Sequence, residues 1–276
     1  YFIRNSRIVR DDKFYEMNTV TGGVINLSWS PGRVVNLLPS FLTDNEASSS
    51  QVFMAYRTEQ LGYDRPVLYP YDSSRNVFGQ PYAFPQYQVL AGYLLYAAVD
   101  AQTGVAFVGF ARRPYNQDNP LYFDEFDAAS GKLLRSFKAP GGIGYVNGMA
   151  IDSTTGIMCT TSADMSVAFT DVSTGKGFAV QIPVLHGGGP LTNGAAVAAD
   201  PFHHLFLVAQ LNSTFSPNGG STVIVYDEKG HIVEVLNGFG FDNPFSPLVA
   251  RLAVNPNLRV GFVPGSFTNE LQSFFY

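Results

Sequence analysis

Residues 145–176, YVNGMAIDSTTGIMCTTSADMSVAFTDVSTGK, decide the fold. Residues 149–151 form a short apolar run. Asp152-Ser153-Thr154-Thr155-Gly156 predicts a tight turn, because an Asp side chain bonds to its own following backbone and Gly supplies positive φ. Residues 157–161 and 166–170 read as two further extended runs. Residues 171–176 predict a second turn, and residues 178–182 a fourth strand. Four antiparallel strands within about 40–50 residues make one blade of a β-propeller.

Working outward, the same rhythm recurs. Asp44, Asp100, Asp152, Asp200 and Asn255 open one set of turns, and Asn18, Asp72, Asp127, Asp171 and Asp227 open a second. The two sets alternate along the chain, each with a period of about 50 residues, as a radial repeat requires. Helical periodicity is hard to find, whereas short β-rich runs broken by Gly, Pro, Asn, Asp and Ser are frequent. The expectation is an all-β fold, a single β-propeller domain over residues 1–276. Residues 34–84, 94–137, 149–182 and 195–236 form blades, with about three strands each from residues 1–29 and 249–276. The count is five blades of four antiparallel strands if the two chain ends share one, which removes a free sheet edge, and six if each end builds most of its own blade; six is the expectation, because three plus three strands are too many for one blade.

Composition narrows the function classes. The chain of 276 residues is 46% hydrophobic, with 23 Phe and 15 Tyr, and only 14% charged. Net charge is −5 with no basic stripe, which argues against a nucleic-acid partner. No apolar run approaches the roughly 18 residues of a membrane helix. The opening at Tyr1 without Met reads as a processed or trimmed product. Asn26-Leu27-Ser28 and Asn212-Ser213-Thr214 are glycosylation triplets, and with them the expectation is a secreted or extracytoplasmic glycoprotein. Cys159 is the lone cysteine and reads as a buried small hydrophobe.

The long loops that lead from an outer strand to the next inner strand would line one mouth of a propeller channel. They carry Tyr145, Asn147, His186, Asn193, Asp242 and Arg251. Asn147 and Asn193 start corresponding strands of adjacent blades; either they converge on a ligand or they cap turns before Gly. His186 stands before three glycines that let a ligand approach the backbone, and is the candidate general base. Asp242 and Arg251 either orient a polar substrate as an ion pair or form a structural pair, with Asp242 the second candidate catalytic group. His203 and His204 are adjacent and point to opposite faces, a poor chelate. No Gly-x-Ser-x-Gly elbow is present.

The stretch Val146-Asn147-Gly148-Met149-Ala150-Ile151-Asp152, with Thr161-Ser162-Ala163-Asp164, resembles a recurring blade of the gluconolactonase and strictosidine-synthase-like six-bladed propellers. Residues 191–197, LTNGAAV, resemble the same family's strand start. The likeness covers about two blades closely. It implies a small-molecule pocket at the channel mouth with lactonase-like or lyase-like chemistry. In the lactonase branch it also implies a channel metal, for which Asn147 matches one ligand position and Asn193 stands where that family has Asp. Neither Glu16 nor Glu46 lies in a motif matching the family's early Glu. Two neutral amides hold a hard dication weakly. The expectation is therefore no resident metal, a weak calcium at Asn147 and Asn193 being the alternative. The expected partner is a small organic molecule bound by a monomer through Tyr145, Asn147, His186 and Asn193. The alternative is a non-catalytic interaction propeller that binds a protein or glycan through its aromatic loops.

Overall fold

A computed structural model describes residues 2–4, 13–17, 24–29, 40–41, 51–60, 63–72, 77–78, 82–83, 89–90, 96–100, 102–111, 121–127, 132–142, 146–162, 166–183, 193–211, 221–239, 252–264 and 271–276. The chain divides into two compact units. Tyr1–Ser40 joins Ser50–Tyr93, and Phe41–Ser49 joins Leu94–Tyr276. Among the described residues the fold is all-β, built of antiparallel sheets and one short 3-10 turn.

The first unit begins with a three-stranded sheet: β1 (Phe2–Arg4), β2 (Lys13–Met17) and β3 (Val24–Trp29), paired in that order. Asn26, one of the two glycosylation candidates, lies within β3 opposite Glu16; Asn212 lies outside the described residues. The next sheet has six strands: β4 (Ser40–Phe41), β5 (Gln51–Gln60), β6 (Tyr63–Asp72), β7 (Val77–Phe78), β8 (Tyr82–Ala83) and β9 (Val89–Leu90). Residues 34–84 therefore do not follow the expected four-strand pattern. β5 and β6 pair along their whole length, from Gln51 opposite Asp72 to Gln60 opposite Tyr63. On its other side β6 pairs only in dipeptides, Tyr63 and Asp64 with β9, Val67 and Leu68 with β8, Tyr71 and Asp72 with β7. Pro66 and Pro70 fall in the gaps. Each lacks a backbone N–H, and a strand edge carrying Pro is broken at that point.

The second unit follows the expected rhythm closely. Its first sheet is β10 (Tyr96–Asp100), β11 (Val105–Ala111), β12 (Leu121–Asp127) and β13 (Leu133–Lys138). The 145–176 stretch forms the second: β14 (Gly148–Asp152), β15 (Ile157–Thr161), β16 (Ser166–Asp171) and β17 (Lys176–Gln181). The third is β18 (Asn193–Asp200), β19 (Leu205–Leu211), β20 (Ser221–Asp227) and β21 (Ile232–Phe239). The last has three strands, β22 (Ala253–Asn255), β23 (Val260–Pro264) and β24 (Leu271–Phe275). Each of these four sheets pairs its strands in chain order.

These sheets stack face to face in the same order, with a core in each gap. Phe107, Phe123, Met149, Ile151 and Met158 pack between the first and second. Cys159, Phe169, Phe206, Ile224 and Tyr226 pack between the second and third. Leu207, Val223, Val225, Val263 and Tyr276 pack between the third and last. Successive side chains on a strand face opposite ways, so Met158 serves one core and Cys159 the next, as do Val225 and Tyr226. A sheet covered on both faces needs an unbroken apolar run rather than an alternating one. That is why LFLVA at residues 205–209 and TVIVY at residues 222–226 read as continuous hydrophobic strings. The arrangement is propeller-like: the first strand of each sheet lies beside that of the next, β10 against β14, β14 against β18, β18 against β22.

Gly148 allows one of these close approaches. A Cβ there would lie 2.9 Å from the Val197 backbone nitrogen and 3.1 Å from the Ala196 Cα. Real Cβ atoms do not sit so near a backbone, so only Gly lets β14 and β18 meet.

Candidate functional site

The first strands define two ends. At the turn end each closes on an Asp that is buried: Asp100, Asp152 and Asp200 are 3%, 0% and 0% exposed. Burying a carboxylate is costly unless its oxygens accept hydrogen bonds, and the turns supply the donors. The Gln102 N–H donates to Asp100 Oδ1 over 3.0 Å and Thr103 Oγ1 to Oδ2 over 2.6 Å. Thr154 donates to Asp152 Oδ1 twice, from its N–H over 2.9 Å and from Oγ1 over 2.5 Å. The Phe202 and His203 N–H groups donate to Asp200 Oδ1 over 3.0 and 3.1 Å. Four residues after Asp100 and Asp152 come Gly104 and Gly156, at φ 69° and 70°. After Asp200 that position is His204, at φ 55°.

His204 uses this unusual backbone to reach the neighbouring sheet. Its Nδ1 hydrogen-bonds to Asp152 Oδ2 over 2.9 Å, across 52 residues of sequence. Asp152 holds the imidazole's pKa above its ordinary value, chiefly through this bond. Glu228, from the turn after β20, stands beside them and accepts from Thr155 Oγ1. Burial pushes its carboxyl up, and the nearby Asp152 adds to the effect. Donor atoms of Asp152, His204 and Glu228 all lie within 4.8 Å of one another. The next gap is linked differently: Tyr276 OH donates to Asp200 Oδ2 over 2.9 Å, and the Arg259 guanidinium lies over the Tyr276 ring. Arg259, at φ 51°, holds the repeat position of His204.

At the opposite end the first strands begin, and here Asn147 and Asn193 stand. The Asn147 N–H donates to the Thr161 carbonyl over 2.8 Å, and Asn193 opens β18 opposite Leu211. Because Gly148 abuts residues 196–197, the two asparagines occupy the same end of adjacent strands. Thr161 is fully buried beside Gly148, and its Oγ1 has no hydrogen-bond partner among the described residues. Nearby, Thr222 Oγ1 donates to Gln210 Oε1 over 2.9 Å, and Gln210 Nε2 donates to the Pro183 carbonyl over 3.1 Å, tying the second sheet to the third.

Tyr145, His186, Asp242 and Arg251 lie outside the described residues. His203 and His204 do not chelate as a pair, as their adjacency predicts: His203 Nδ1 bonds to Asp200 Oδ2 over 2.7 Å, and His204 turns to Asp152. Sequence reasoning missed that His204 then meets Glu228. The signal was a break in the repeat, His204 in a glycine position. Cys159 is buried in its strand as expected, and burial raises its thiol pKa well above the ordinary range. No helix among the described residues is long and apolar enough to cross a membrane. No protein-family model and no curated protein matches the chain in sequence.

Proposed function

We propose that the chain is a closed six-bladed propeller that binds a small, fairly apolar organic molecule at the end where its first strands begin. The observation that carries the reading is the placement of Asn147 and Asn193 at the same end of two abutting strands, near the buried Thr161 hydroxyl, which has no partner among the described residues. A buried hydroxyl without a partner costs free energy that a ligand acceptor or donor would recover. Six sheets among the described residues, with a three-stranded one near each chain end, favour six blades over five. On this reading Tyr145 and Arg251 complete the pocket. His186 and Asp242 are the groups for proton transfer if lactonase-like or lyase-like chemistry follows binding, and the chain acts as a secreted monomer without a resident metal in the channel.

The test is a thermal-shift and activity screen with aromatic lactones and acyl esters. At least one compound should raise the melting temperature of the wild type. Asn147→Ala and Thr161→Val should lose that shift, Thr161→Val because it keeps shape but removes the hydroxyl. A screen without shifts, or shifts indifferent to both substitutions, would sink the reading. A second reading, a non-catalytic interaction propeller, is favoured by exposed apolar residues on the outer strands: Leu134 of β13, Phe178 of β17 and Val233 of β21 are 47%, 43% and 57% exposed. Large apolar side chains in solvent mark interaction surfaces when they cluster.

A further inference from the structure

We infer that Asp152, His204 and Glu228 form a site for a divalent metal of the zinc class that clasps the second sheet of the larger unit to the third. It lies on the turn end of the first strands, away from Asn147 and Asn193, and is independent of the ligand reading above. The donor set is one imidazole nitrogen and two carboxylates, with donor atoms within 4.8 Å of one another. Zinc accepts such mixed nitrogen and oxygen donors at low coordination number, whereas calcium needs six to eight oxygens.

The internal repeat supplies an independent observation. In the second sheet the corresponding turn positions hold Gly156 and Val172, an apolar pair whose backbones bond to each other, Val172 N–H to Gly156 carbonyl over 2.9 Å. In the third sheet the same two positions hold His204 and Glu228. Both departures from the repeat converge on one fully buried carboxylate of the neighbouring sheet. His204 is kept there although its backbone favours Gly. The surroundings orient the donors as a metal's outer shell does. Thr154 occupies Asp152 Oδ1 and leaves Oδ2 to face His204, while Thr155 Oγ1 holds Glu228. Two carboxylates facing one imidazole leave negative charge in a site where Asp152 is cut off from water, and a dication neutralises it. His204 is 51% exposed, so an ion has a path in and a solvent position to keep. Binding through Nδ1 replaces the proton now shared with Asp152; that proton leaves to solvent as the metal–nitrogen bond forms.

The experiment uses the full chain, stripped with a chelator and dialysed, then titrated with zinc chloride or cobalt chloride. The wild type should bind a single zinc per chain and gain roughly 5–10 °C in melting temperature at a hundredfold excess over Kd. Cobalt should give visible absorption bands with imidazole coordination. His204→Gln and Glu228→Gln should abolish the shift and the bands, while His203→Gln keeps both. If His204→Gln folds poorly, the double variant His204→Gly with Glu228→Val, which copies the preceding sheet's turn pair, takes its place and should fold without responding to zinc. No zinc response in the wild type, a response surviving at full size without His204 and Glu228, or one lost with His203 would each overturn the assignment.

Discussion

Asp124 in β12 shows how a single side chain sets a pH dependence. It is fully buried; Ser136 Oγ donates to its Oδ1 over 2.5 Å, and Oδ2 has no partner among the described residues. Burial raises the carboxyl's pKa, and the Ser136 bond only partly offsets it. A folded pKa above the unfolded one means a contribution fully present below the unfolded value, where the group is protonated in both states. It is lost as pH rises through the folded value. Above the ordinary carboxylate range the buried Asp124 carboxyl therefore burdens the fold. Asp124→Asn keeps the acceptor for Ser136 and removes the charge, so it should gain on the order of 1 kcal/mol at neutral pH. Urea midpoints should show the gain shrinking toward zero as the pH falls to the ordinary carboxylate value. A gain that persists unchanged in acid would mean that packing, not charge, is responsible. At this scale the sequence is most legible where the partner is near in the chain. The Asp100, Asp152, Asp171 and Asp200 turns are readable because each Asp bonds two or three residues ahead. The bond from His204 to Asp152 is not, because stacking of two sheets creates it.

Gly148 belongs to the element scale. From sequence, Asn147 before Gly148 reads either as a ligand-facing strand start or as a turn cap. The structure gives the glycine a packing reason, since β18 occupies the space a Cβ would need. Gly148→Ala should force β14 and β18 apart and cost about 1–3 kcal/mol, seen as a lower urea midpoint. Gly104→Ala is the comparison: nothing lies within 4 Å of its Cβ position, and its cost should come only from its φ of 69°. Equal destabilisation at both sites would remove close approach as the explanation. The strands of the second unit were legible because an Asp or Asn opens each hairpin turn and a Gly closes most of them. The β5–β6 hairpin was not, because Asp72 resembles the recurring turn signal while the connection that matters follows Gln60, where residues 61–62 include one Gly. Nor does local sequence show that Pro66 and Pro70 fragment the far side of β6, since that depends on which strands come to pair there.

At the scale of the molecule, covered sheet faces favour the proposed ring. The second and third sheets of the larger unit each feed two cores, one per face, and the alternation of Met158 with Cys159 and of Val225 with Tyr226 shows both faces committed. A linear stack must end somewhere and expose an apolar sheet face at each end. A closed ring has no such ends, and a chain with this much Phe and Tyr and few charges is poorly suited to exposing them. Closure, as proposed, follows from the alternating turns only as a topology, because side chains that would seal a ring carry no local signal. It makes a size prediction. A single compact body of 276 residues should have a radius of gyration of about 19 Å. Small-angle scattering of the monomer should return that value with a single-peaked distance distribution. A larger radius with a shoulder at long distances would overturn the proposed ring in favour of an open array.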